Sequence, residues 1–146
     1  MSDERRRQFS VTLILLGEGL DPSGVTRALG MFPDQSWRTG EVPKVRRPDG
    51  RWIETPRVAE WSGWKKFMPV ELDGESVELQ LEHWAGELES KAEALQTLRD
   101  LGWSVALDCY MASPDSERLA LRTGLIGKLA NFGADLDIHF YPEVGD

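Results

Sequence analysis

Cysteine and histidine are scarce in this chain, which has one cysteine and two histidines among 146 residues. A single cysteine excludes an internal disulfide framework and suits a reducing compartment. Nucleophilic triads and most transition-metal sites need histidine beside other reactive side chains, and neither His83 nor His139 lies in a recognisable catalytic motif. The sequence therefore predicts no catalytic residue, no metal ion and no cofactor.

Long apolar runs are also missing. No stretch approaches the roughly 20 apolar residues that a membrane-spanning helix needs. The basic run Arg5–Arg7 ahead of the apolar segment Val11–Leu16 imitates the start of a signal peptide. However, Glu18 and Asp21 follow closely, and no small-residue cleavage pattern is present. We expect a cytoplasmic protein without a membrane partner.

Positive charge is in short supply, because 17 Lys and Arg residues stand against 25 Asp and Glu residues and the net charge is −8. The imbalance comes from residues 71–146, whereas residues 1–70 carry a small basic excess. An acidic chain repels phosphate backbones, and Gly17-Glu18-Gly19 lacks the remaining parts of a phosphate-binding glycine loop. These features exclude general nucleic-acid binding and favour a basic protein partner.

The patterns that are present predict one domain. We assign residues 1–8 to a flexible N-terminal tail and residues 9–146 to a single α+β domain, since the length suits one core. Alternating and helix-spaced apolar residues follow the order strand, helix, strands, helix, strand, helix, strand. The economical arrangement is a single mainly antiparallel sheet with helices packed on one face, and ferredoxin-like topology is a special case of it.

Turn and cap residues set the element boundaries. Asp21-Pro22 starts a short helix that Gly30 ends, and Asp49-Gly50 indicates a small hairpin within the proline-rich segment 33–56. Leucines and Trp84 at helical spacing predict a long amphipathic helix over 77–101, in which Gly86 predicts a bend or split near residues 86–90. The other expected elements are strands at 9–16, 58–67, 103–111 and 136–141 and a helix at 123–133.

Short motifs along nearly the whole chain carry a family resemblance. They are Phe9-x-Val11-x-Leu13, Asp21-Pro22, Leu29-Gly30-x-x-Pro33, Gly40-Glu41, Trp61, Leu88 and Leu95 before Gly102, and Leu129-Ala130 before Gly133 and Leu136-Asp137-Ile138. With them the chain resembles the uncharacterised bacterial domain-of-unknown-function family 4279. The resemblance implies an α+β fold and carries no established activity or catalytic residue. His139 departs from the carboxylate-and-aromatic ending that we associate with the family.

The loop group Trp37, Arg38, Glu41 and Trp61 is the best candidate for a ligand site. Arginine binds carboxylates and phosphates through two parallel hydrogen bonds, and tryptophan supplies rigid contact area. Trp52 and Trp64 belong to the same neighbourhood in the sequence. The alternative interpretation is that the tryptophans pack under the long loop while Arg38 pairs with Glu41.

The acidic residues of the long helix are the candidate for partner binding. Glu82, Glu89 and Glu93 are expected along one stripe, and most acidic residues of this helix lack a lysine four residues further on. Such a stripe could dock a basic protein by complementary charge. A solvated helix surface is the alternative.

Two further patterns are weighed against simpler interpretations. Asp135, Asp137 and His139 share the outward face of the last strand, with Leu136, Ile138 and Phe140 on its inward face. The polar set could begin a metal site, but a solvated strand face explains it equally well. Cys109 alternates with apolar residues and is expected to be a buried, inert thiol.

The leading functional hypothesis is a non-catalytic binding domain, in the concrete form of a protein-interaction or immunity-type module. The alternative is a small-molecule-binding domain or an unassigned enzyme in which Arg38 and Trp37 hold an anionic ligand and Glu41 acts as a base. A homodimer is the third option.

Overall fold

The computed structural model describes residues 7–46, 50–54 and 57–142. Within these residues the strands are β1 (Gln8–Gly17), β2 (Gln35–Trp37), β3 (Lys44–Arg46), β4 (Trp52–Glu54), β5 (Ser62–Lys66), β6 (Ser104–Ser113) and β7 (Asp135–Pro142). The α-helices are α1 (Ser23–Leu29), α2 (Val77–Leu88), α3 (Ala92–Asp100) and α4 (Thr123–Asn131). Of the expected N-terminal tail, residues 1–6 lie outside the described residues, and Gln8 already belongs to β1.

The main sheet confirms the α+β class. Its strand order is β2-β5-β1-β6-β7, and every neighbouring pair is antiparallel except β6 and β7, which are parallel. Without β7, the strands β1, β2, β5 and β6 have the order and directions of a ferredoxin-like unit. The hairpin β3–β4 is inserted between β2 and β5, and α4 with β7 is added after the unit.

The central strand β1 shows why the helices pack on one face. Val11, Leu13 and Leu15 are completely buried on the face that carries the helices, and the alternate residues are only partly buried. Successive side chains of a strand point to opposite faces, so this pattern leaves the second face of the sheet open. We call this second face the open face, and its central residues are Ser10, Thr12 and Ile14. The first strand is therefore buried on one face only.

The long helix is split as Gly86 predicted. A 3₁₀ turn at Glu89–Lys91 separates α2 from α3, three residues after the glycine. Leu88 and Leu95 are fully buried on the two sides of this turn. The turn therefore redirects the chain while both helices keep their apolar sides on the core. None of the helices in the described ranges has the length and apolar character needed to cross a membrane.

Half of the β1 edge has no strand partner and is completed by side chains of α2. Strand β5 pairs with β1 only from Leu13 to Gly17. Before that point, the Val11 amide donates to Gln80 Oε1 at 2.8 Å, and Gln80 Nε2 donates to the Phe9 carbonyl at 2.8 Å. Trp84 Nε1 donates to the Val11 carbonyl at 2.9 Å. These contacts satisfy buried backbone groups that would otherwise lose water without a replacement.

Several sequence interpretations need correction around β5. The strand expected over 58–67 is limited to Ser62–Lys66. Trp64 belongs to the core and not to an exposed loop group, and its Nε1 donates to Thr26 Oγ1 at 3.1 Å. The predicted hairpin is present as β3 and β4, in which Lys44 pairs with Glu54 and Arg46 with Trp52. Asp49 of its expected turn lies outside the described residues.

The side chains predicted to face inward on β7 lie on the helix-bearing face, but those of its C-terminal half are not buried. Ile138 is 46% exposed and Phe140 is 47% exposed, although both alternate with the polar residues as expected. The reason is position: β7 is the outermost strand, and the buried apolar residues of α4, Leu125 and Leu129, do not extend the core over this half of the strand.

Replacing Gln80 with leucine should destabilise the protein by about 1–3 kcal/mol, because the substitution leaves the buried Val11 amide without a partner and leaves the Phe9 carbonyl only its bond from the Gly74 amide. Urea unfolding followed by circular dichroism measures this loss. Gln96→Leu is the matched control, because Gln96 is exposed on α3 and bonds only to exposed side chains. Equal effects of the two substitutions would contradict a special role for Gln80.

Candidate functional site

The structure brings Trp37 and Trp61 together, but their contact holds β2 against β5 and does not form a ligand site. Trp37 Nε1 donates to the Trp61 carbonyl at 2.8 Å. Its indole lies across Gly63 so closely that any side chain at position 63 would collide with it. A glycine is therefore required where the ring crosses β5. The Trp61 side chain is half exposed.

Arg38 and Glu41 also meet, through different atoms than expected. The Arg38 backbone amide donates to Glu41 Oε1 at 2.6 Å, whereas the Arg38 guanidinium pairs with Asp21 Oδ1 at 3.1 Å. Asp21 also accepts from the Ser23 amide, and this bond, followed by the Arg38 charge, lowers the pKa of Asp21. Both partners of the Arg38–Asp21 pair are largely exposed, so the pair contributes little to stability.

The predicted ligand group does not surround a concave site. Trp37, Arg38, Glu41 and Trp61 line neither of the two main cavities found among the described residues. Their mutual contacts hold the turn between β2 and the hairpin instead.

The three glutamates of the predicted acidic stripe are exposed but lie on different elements. Glu82 is on α2, Glu89 is in the 3₁₀ turn, and Glu93 is in the first turn of α3. None of them forms an ion pair with another residue in the described ranges. The helix break therefore turns one expected helical stripe into an acidic surface on three consecutive elements.

A cavity lies on the open face of the sheet. It has a volume of about 470 Å³, and the residues that give it chemical character are Thr12, Arg46, Lys65, Phe67, Asp108 and Tyr110. We call it the open-face cleft. Its volume lies within the usual range of small-molecule sites.

The cleft forms because β5 separates from β1 after Lys66. The following segment curves away and returns to β1 at Gly74, whose amide donates to the Phe9 carbonyl at 3.2 Å. The hairpin contacts this segment through Phe67, since the Phe67 ring centre lies 6.2 Å from that of Trp52 and 5.1 Å from Arg46 Cζ. The hairpin and the segment after β5 thus form the walls of the cleft, and the sheet forms its floor.

Lys65 is the least solvated cation of the cleft. Burial lowers the pKa of Lys65, although the nearby charge of Asp108 opposes this effect. Its Nζ lies 5.5 Å from the centre of the Trp37 ring. No carboxylate in the described part of the chain comes within ion-pair distance of this Nζ. A partly buried amine without a paired anion is unfavourable, and functional sites often contain such groups.

The remaining charges of the cleft are mostly engaged. His139 Nε2 lies 2.8 Å from Asp108 Oδ1. Arg7 pairs with Glu117 at 3.3 Å and with Asp115 at 3.7 Å. Because Arg7 and Asp108 already have partners, Lys65 and the stacked Arg46 are the remaining cations of the cleft lining, which also contains the carboxylate of Asp73.

Two further predictions concerned a metal site on the outward face of β7 and the burial of Cys109. Among the described residues, no group of three His, Cys, Asp or Glu side chains is arranged to hold a metal ion. His139 instead contacts Asp108 of the neighbouring strand. Cys109 is completely buried, as its alternation predicted.

Sequence reasoning missed the cleft because its residues come from distant segments. Arg46, Lys65 and Asp108 lie on three different strands, and only the pairing of β1 with β5 and β6 brings the last two together. One signal was present: Asp108 is a charged residue within the apolar strand β6, where a polar neighbour on the same face is expected.

The comparisons with known proteins address the family. The model of the family described as "Domain of unknown function (DUF4279)" matches residues 7–143. The chain belongs to the DUF4279 family. No curated protein and no solved structure matches it significantly. The match covers every strand of the DUF4279 domain, including the strands that line the open-face cleft.

The thiol of Cys109 should stay unreactive in the folded protein. Burial, followed by the charges of Asp108 and Asp137, raises the pKa of Cys109 to about 12 from an ordinary value of 9.0. The folded protein therefore keeps this proton more tightly than the unfolded chain. Its contribution to the free energy of unfolding is lost as pH rises from about 9 to about 12. A thiol reagent at about pH 8 should label Cys109 at least tenfold faster in the unfolded chain than in the folded protein.

Rapid labelling of the native protein would contradict this burial. The pH dependence is checked by measuring the free energy of unfolding between about pH 9 and about pH 12. Cys109→Ala is the control for this measurement, because it removes the thiol while the acidic neighbours remain.

Proposed function

We propose that this DUF4279 domain is a non-catalytic binding domain that holds the anionic group of a small molecule in the open-face cleft. The observation that carries the proposal is the position of Lys65. Lys65 lines a cavity of about 470 Å³, and its ammonium group has no carboxylate within ion-pair distance in the described part of the chain. A carboxylate or phosphate would supply the missing charge.

The other cleft residues support a ligand with two kinds of groups. Arg46 stacks on Phe67 and leaves its guanidinium donors available for a second contact with an anion. Phe67 and Tyr110 offer ring surfaces for an apolar or planar part of the ligand. This keeps the anionic ligand of the sequence-based alternative but moves it from Arg38 and Trp37 to Lys65 and Arg46.

Binding rather than turnover is favoured by the surroundings of His139. Its Nε2 faces Asp108, and no serine, threonine or cysteine side chain in the described ranges forms a hydrogen bond with it. The thiol of Cys109 is buried and protonated at neutral pH. Neither group provides an activated nucleophile. We also propose a cytoplasmic location, which the single free thiol supports.

Lys65→Met should weaken the binding of a small anion at least tenfold, or about 1.4 kcal/mol, because it removes the desolvated charge and keeps most of the side-chain volume. The measurement is the melting temperature and calorimetric titration of the full chain with phosphate, citrate and a set of sugar phosphates and aromatic carboxylates.

Lys66→Met is the matched control, since Lys66 is on the same strand, faces the other way, and donates to the Phe32 carbonyl. Equal affinity in the wild type and Lys65→Met, or no stabilisation by any anion of the set, would overturn the proposal.

A second candidate function is the protein-interaction or immunity-type module, with a basic protein as the partner. It is favoured by the exposure of Glu82, Glu89 and Glu93 on neighbouring elements without ion pairs in the described ranges. Unpaired surface charges of one sign attract a partner of the opposite sign and raise its association rate.

Reversal of Glu82, Glu89 and Glu93 to lysine should weaken capture of a basic partner by at least tenfold and reduce its dependence on salt. The measurement is a pull-down with the purified products of neighbouring genes. The matched control reverses Glu18, Glu60 and Glu71, which are also exposed and give the same net charge. Equal losses in both triple variants would show a general charge effect and would contradict a docking surface.

A further inference from the structure

We infer that the outer edge of β7 pairs with β7 of a second copy of this chain, antiparallel and with Ile138 on the two-fold axis. The two sheets would then form one continuous sheet. This inference concerns a different surface from the open-face cleft, and it does not depend on the proposed ligand.

The edge itself is the first observation. β7 is the last strand of the five-stranded sheet and has eight residues, whereas β2 at the opposite edge has three. A short edge strand offers few free amides and carbonyls, but a long one is a template for a further strand. Natural proteins usually cover such an edge, and no strand in the described part of the chain pairs with the outer side of β7.

Apolar exposure is the second observation. Ile138 and Phe140 lie on the helix-bearing face, in register with the buried residues Cys109 and Met111 of β6. Nevertheless, Ile138 is 46% exposed and Phe140 is 47% exposed. A second copy beside β7 would bring a matching pair of apolar side chains to this place and remove all four from water.

The order of residues in β7 selects the register. With Ile138 on the axis, every residue from Asp135 to Tyr141 is paired, and Leu136 lies opposite the partner's Phe140. Asp137 then lies opposite the partner's His139, which gives a charge-compatible pair on the open face. A shift that centres Asp137 places two carboxylates directly opposite each other and shortens the pairing. A shift that centres His139 also pairs seven residues, but it places Asp137 opposite Tyr141 instead of His139 and brings Pro142, which has no amide hydrogen, into the ladder opposite Leu136.

The choice of a second copy over a different protein rests on this self-complementarity. In a two-fold interface each contact occurs twice, so a strand must fit its own reversed sequence. The reversed order of β7 places apolar residues opposite apolar residues and separates the carboxylates.

Sedimentation velocity of the full chain from about 1 µM to about 1 mM tests the association. We expect a dimer in the wild type and at least a tenfold weaker dimer in Ile138→Lys, because two ammonium groups would meet on the axis. Val70→Lys is the matched control, since Val70 is 89% exposed, apolar, and outside β7. It should dimerise like the wild type, and circular dichroism confirms that both variants are folded.

Disulfide trapping tests the register. Opposed residues of antiparallel strands have Cα atoms about 4.5–5.5 Å apart, which suits a disulfide. Ile138→Cys should therefore give a covalent dimer on mild oxidation, while Leu136→Cys, whose two copies are offset along the strands, should not. These variants also carry Cys109→Ala, because Cys109 lies directly beside position 138 on β6 and could otherwise form an intrachain disulfide with the new cysteine.

Three results would overturn the inference. They are a monomer at all concentrations, a dimer that Ile138→Lys leaves intact, and covalent dimers from Asp137→Cys with none from Ile138→Cys. Each of them leaves the anion-binding test with Lys65→Met unaffected, so failure of the dimer and failure of the proposed function are distinguishable.

Discussion

The fold depends on how α2 completes the unpaired half of the central strand. β1 is bonded to β6 along nearly its whole length, but β5 reaches only its second half. Gln80 and Trp84 bond to the remaining amide and carbonyls from the helix layer, and both side chains are buried. This arrangement fixes the height and rotation of α2 over the sheet, because hydrogen bonds are directional while apolar contacts are not.

The open-face cleft is possible because side chains of α2, and not β5, bond to the first half of β1. If β5 continued beside β1, its side chains would cover the floor of the cleft near Thr12. Since Gln80 satisfies β1 from the helix face, the segment after β5 is free to curve away and the hairpin can contact it through Phe67. A polar contact in the core thus accounts for a cavity on the opposite side of the sheet.

Local patterns predicted the elements well, because alternation, helix caps and turn residues act over a few positions. The glycine that ends α1 and the break in the long helix are examples. The candidate site was not predictable in the same way, since Lys65 and Asp108 become neighbours only through strand pairing. Trp64 shows the opposite failure: the sequence placed it in a strand but grouped it with the tryptophans of the candidate ligand site, whereas the pairing of β5 with β1 places it in the core.

The pairing of β1 with β6 also bears on how the chain reaches its native state. Gln8 lies opposite Ala112 and Leu16 lies opposite Ser104, so the central pair joins segments that are 88 to 104 residues apart in the sequence. Closing so large a loop costs entropy before its contacts form, and folds rich in such contacts fold slowly. During synthesis, the first strand must wait for most of the chain to leave the ribosome before the sheet can be completed.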